Sequence, residues 1–92
     1  MRALSQAIPG ALLHLLRSMP LSDGKVTFAW KAAVGPALER ATDVKLVDGM
    51  LIVETTSLQW RREILRSSPM ILARLQEFLG KDAVSRIVVR EL

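Results

Sequence analysis

The sequence predicts an α+β fold in the order α-α-β-β-α-β, a three-stranded sheet with every helix packed on one face. Three observations carry this expectation. Apolar residues recur at helical spacing on either side of the middle of the chain, the dipeptide Asp48-Gly49 joins two β-rich runs, and a short alternating run from Val84 to Arg90 closes the sequence. With 92 residues there is room for one hydrophobic core and not for two, so a single domain over 1–92 is expected. Half of the residues are apolar, a level that excludes disorder as the default.

In the first helix Ile8, Ala11, Leu12, Leu15, Leu16 and Met19 share one side, with Gly10, His14, Arg17 and Ser18 on the other. The helix is expected to start near Ile8, with Pro9 in its first turn, where a missing donor costs little. Pro9, Gly10 and His14 break the apolar run, and no stretch approaches the roughly 18 residues of a membrane span, so the segment reads as a core helix. After Pro20, Ser22 offers an N-cap to a second helix carrying Val26, Ala29, Trp30 and Ala33. The Gly35-Pro36 pair closes it and can open a short turn through Ala37, Leu38 and Glu39.

Asp43 to Thr56 reads as a β-hairpin. A two-residue turn at Asp48-Gly49 pairs Val47 with Met50, Leu46 with Leu51 and Lys45 with Ile52. Val44, Leu46, Leu51, Val53 and Thr55 form the better core face; Lys45, Val47, Met50, Ile52 and Glu54 face away. Ser57 then caps a long helix in which Trp60, Ile64, Leu65, Ile71, Leu72, Leu75, Phe78 and Leu79 fall within about 140° at roughly 100° per residue. Pro69 interrupts it and predicts a kink or two abutting helices, and Gly80 is the expected stop. The last strand alternates Ile87 and Val89 with Arg86, Val88 and Arg90.

The chain has no cysteine and one histidine, which excludes disulfides and thiolate chemistry, sets metals aside and suits a reducing cytoplasm. No histidine lies near a nucleophile, no carboxylates pair on one element and no glycine loop cradles phosphate, so neither an enzyme nor a cofactor or small-molecule substrate is expected. The net charge of +4 is uneven: residues 1–56 carry six basic and five acidic side chains, residues 57–92 seven and four. An electrostatic partner should favour the second half. There Arg62 and Arg66 lie one turn apart opposite the apolar arc, with Arg61 at its edge; a solvated face is the commoner explanation of such a pair, but like charges at i, i+4 repel slightly, and that mild frustration is the argument for a phosphate-contact role. The open sheet face places Lys45, Arg86 and Arg90 among Val47, Met50, Ile52 and Val88, a mixed patch suited to nucleic acid, to a protein partner or to a homodimer. Trp30 and Trp60 read as core anchors, the alternative being a base-stacking platform; His14 reads as solvated.

Three stretches carry a family pattern. AWKAAVGPAL, with Trp30, Val34, Gly35 and Pro36, VKLVDGMLIVETTSLQWRREI, with Asp48, Gly49, Leu51, Val53, Ser57 and Trp60, and ILARLQEFLGKDAVSRIVVREL, with Leu72, Leu75, Gly80 and Ile87, resemble the core of the bacterial DciA family over residues 28–92. The resemblance implies a KH-like fold similar to the N-terminal domain of the initiator DnaA, DNA binding, and a part in loading the replicative helicase DnaB. It differs at one point: many members carry a long, often disordered extension, whereas the sequence here stops two residues beyond Arg90. RNA binding of the KH type would use a Gly-x-x-Gly loop, and the sequence has none. The expected function is a DNA-associated adaptor; the rivals are a protein interaction module without nucleic acid and an RNA-binding protein.

Overall fold

The computed structural model describes residues 10–91, the side chain of Leu12 excepted, so the expected start at Ile8 and the role of Pro9 lie outside the described residues. Helix α1 (Gly10–Ser18) and helix α2 (Asp23–Val34) are followed by a single turn, α3 (Pro36–Arg40), then strands β1 (Asp43–Val47) and β2 (Met50–Thr55), helix α4 (Leu58–Leu79) and strand β3 (Arg86–Glu91). The expected element order therefore holds, with the turn opened by Pro36 as a short third helix.

Local chemistry sets each boundary. The Ser22 hydroxyl accepts from the Lys25 N–H at 3.1 Å, and the Ser57 hydroxyl from the Trp60 N–H at 3.2 Å, each satisfying a free donor at a helix start. Gly35 and Gly80 end α2 and α4 at φ 91° and 96°, a backbone region that disfavours any side chain. Pro69 does not split α4: the helix runs 22 residues through it. Pro69 offers no N–H to the Leu65 carbonyl, but Leu65 and Pro69 are both exposed, on the solvent side of the helix where a missing bond costs least.

The hairpin has the expected register, Lys45 with Ile52, Leu46 with Leu51 and Val47 with Met50, around a type I′ turn with φ 50° at Asp48 and 79° at Gly49. Strand β3 pairs parallel to β2, giving the order β1-β2-β3. Its start is pinned by the Gly49 carbonyl, which accepts from the Ser85 N–H at 2.7 Å, the Ser85 hydroxyl at 3.1 Å and the Arg86 N–H at 3.3 Å. This pin places the strand two residues later than alternation predicts, and Val84 becomes a buried core residue ahead of it.

The core lies between the sheet and the helices. Helix α2 packs on β1, α4 on β2 and β3, and α1 on α4. Leu51 and Val53 are fully buried while Met50, Ile52 and Glu54 between them are only half-buried, so the helices cover one sheet face and leave the other open. Trp30 is buried and its indole N–H donates to the Thr42 hydroxyl at 2.9 Å. Two apolar phases depart from expectation. Among the described side chains of α1 the core residue is Leu16, with Leu13 half-buried beside it, while Ala11 and Leu15, and Met19 just past the helix, face outward; with leucines on both sides of so short a helix, periodicity alone does not choose. In α4 Leu65 is exposed and Trp60 only half-buried.

Candidate nucleic-acid and partner surfaces

The residues singled out for binding fall on two separate faces. The first is the outer arc of α4. Arg62 and Arg66 are exposed there, as their position opposite Ile64, Ile71 and Leu75 requires, whereas Arg61, in phase with Leu72 and Leu79 and so within the apolar arc and not at its edge, is half-buried. The Arg61 Nε is enclosed without a hydrogen-bond partner. Arg66 forms an ion pair with Glu63 one turn back, and Glu63 also accepts from the Ser67 hydroxyl at 3.1 Å. The hydrogen bond from Arg66 is the main cause that holds the Glu63 carboxyl below its usual range, with a smaller contribution from Ser67. The repulsion expected between Arg62 and Arg66 is thus relieved by the acid between them, and frustration is not the argument for this face. Position is: α4 has no acidic residue in its first turn and places Arg61 and Arg62 close behind it, near the end where the helix dipole favours anions.

The second face is the open side of the sheet. Register sets it out in three cross-strand rows: Asp43, Glu54 and Arg90; Lys45, Ile52 and Val88; Val47, Met50 and Arg86. None of the nine is buried. The apolar members form a connected centre, the cations Lys45, Arg86 and Arg90 lie on its rim, and Asp43 and Glu54 offset part of their charge. The Arg86 guanidinium donates to the Met50 sulfur at 2.8 Å, lying across the patch.

These six cations are not brought together. Helix α4 packs on the covered face of the sheet, so its outer arc and the open face point in opposite directions, and the molecule is 20 Å thick in its shortest extent. His14 is exposed. No helix among the described residues is long and apolar enough to cross a membrane.

Two features escaped sequence reasoning. Lys25 is buried, its ammonium donating to the Met19 carbonyl at 2.7 Å just past the last turn of α1, where the helix dipole favours a cation. Nothing in the sequence separates it from a surface lysine. Leu58 is exposed beside Arg61 and Arg62, and this one was legible, since it falls outside the apolar arc.

No curated protein and no solved structure matches the chain. The family described as Dna[CI] antecedent, DciA, matches over residues 3–89, nearly the whole length, including the hairpin, both caps of α4 and the start of the closing strand. The chain belongs to the DciA family, whose proteins are associated with loading of the replicative helicase.

Proposed function

We propose that this protein is a non-enzymatic, DNA-associated adaptor in helicase loading, holding phosphates with Arg62 and Arg66 on the outer arc of α4 and the half-buried Arg61 beside them, and a protein partner, the helicase DnaB, on the open sheet face. The observation that carries the reading is the separation of two chemically different faces. One is a cationic helix face near a helix N-terminus, suited to phosphate; the other is an apolar centre of Val47, Met50, Ile52 and Val88 with a mixed rim, the composition of a protein contact. Lys45, Arg86 and Arg90 then act as rim charges that steer the partner. Family membership supports the replication role.

The test is a salt titration of binding to single- and double-stranded DNA of unrelated sequences. Replacing Arg62 and Arg66 with Gln is expected to weaken binding uniformly and to flatten the slope of log affinity against log salt by about 0.7–0.9 per lost contact, with Arg86→Gln and Arg90→Gln as the control pair. If the sheet pair changes the slope and the helix pair does not, DNA lies on the sheet. Absence of salt-sensitive binding in the parent removes DNA from the reading.

A homodimer through the sheet is the second reading, favoured by one observation: Asp43 and Arg90 stand at opposite ends of one cross-strand row, so a two-fold axis along β2 opposes them across the interface. A concentration series by analytical ultracentrifugation separates the two readings.

A further inference from the structure

Leu58, Leu65, Leu72 and Leu79 stand seven residues apart along α4. An α-helix falls short of two full turns by about 20° in seven residues, so such a row drifts around the helix instead of following its axis. The drift is visible as burial: Leu58 is 54% exposed, Leu65 52%, Leu72 half-buried and Leu79 9%. The second half of the row belongs to the core. The first half emerges onto the surface between arginines: Leu58 lies one turn from Arg61 and Arg62, and Leu65 one turn from Arg61, Arg62 and Pro69. Arg61, half-buried, keeps an enclosed Nε without an acceptor in this strip.

We propose that the first half of α4 is a docking strip for an acidic, leucine-bearing amphipathic helix of another protein, laid along α4 with its leucines between Leu58 and Leu65 and its carboxylates on Arg61, Arg62 and Arg66. Heptad leucines flanked by charge are what one helix offers a second, and the sign of the flanks selects the partner. A second copy is a poorer occupant, since it sets Arg61 and Arg62 against their own copies, Arg66 being already offset by Glu63. A nucleic acid takes the cations but leaves two leucines in water. The strip stands without the DNA reading, but one consequence rests on it: if phosphates use the same arginines, the acidic helix displaces DNA from this face.

The test uses the full chain and a labelled three-heptad peptide with leucines at the core positions and glutamates on both flanks, beside a peptide of the same leucine pattern flanked by lysines. Fluorescence anisotropy is expected to detect the glutamate peptide and not the lysine one. Leu58→Ser with Leu65→Ser, and separately Arg62→Glu, are each expected to weaken that binding about tenfold at unchanged thermal midpoint, while Leu21→Ser, at another exposed leucine, leaves it unchanged. Equal binding of both peptides, parent-like binding by the leucine variants, or no peptide binding overturns the strip. Displacement of labelled duplex DNA by unlabelled glutamate peptide supports the competition, and simultaneous binding of both overturns it. A parent that binds the peptide but no DNA sinks the DNA reading and leaves the strip standing.

Discussion

Trp30 and Trp60 look alike in sequence, each on the apolar side of a helix, but only Trp30 is enclosed, with its indole N–H bonded to Thr42. Trp30→Ala is therefore expected to cost about 3–5 kcal/mol and Trp60→Ala clearly less, the order to be read from denaturant midpoints. Gly49 and Gly80 allow a finer comparison. Both hold a left-handed backbone, at φ 79° and 96°, but a Cβ at Gly49 meets the Ser85 hydroxyl at 3.1 Å while one at Gly80 meets nothing within 4 Å. Gly49→Ala should lower the thermal midpoint more than Gly80→Ala, and Ser85→Ala should recover part of the difference. Equal losses mean that backbone strain alone sets the cost.

At the scale of elements, α4 carries the most chemistry and the least legible boundary between core and surface. The hairpin was readable residue by residue, because strand alternation and an Asp-Gly turn fix register locally. The phase of α1 and the exposure of Leu65 were not, since they depend on which neighbours the helices meet. The cation positions on both faces followed from period alone; the Arg66–Glu63 pair did not, because i, i+3 spacing allows the contact without requiring it. That pair has a consequence for pH. With the Glu63 carboxyl held below its usual range in the folded state, the pair's stabilisation is present above the unfolded carboxylate range and is lost as pH falls through the folded value. Protonation also releases Arg66. Glu63→Gln is expected to strengthen DNA binding at neutral pH, and the parent to approach the variant as pH is lowered through that window, both read by anisotropy at constant salt. A parent and variant that bind equally at neutral pH place Arg66 outside the phosphate contact.

For the whole molecule, the arrangement of layers decides how the two proposed partners would be held at once. The open face and α4 lie on opposite sides of the sheet, and the proposed contacts share no side chain: Arg62 and Arg66 are exposed on α4, which covers the face of Leu51 and Val53, while Ile52 and Met50 lie on the other face. Changes at sites separated by more than about 7–10 Å with no common partner combine additively. Ile52→Asp, which sets a charge in the apolar centre of the sheet patch, is therefore expected to abolish capture of the helicase while leaving DNA affinity within about twofold of the parent's, a difference of under 0.5 kcal/mol. Arg62→Gln with Arg66→Gln should do the reverse, and the combined variant should show both losses at their separate sizes. Parallel measurements of helicase capture and DNA anisotropy on the three variants check this. If Ile52→Asp weakens DNA binding tenfold with its thermal midpoint intact, one face serves both partners, and an adaptor holding them on opposite sides of the sheet is ruled out.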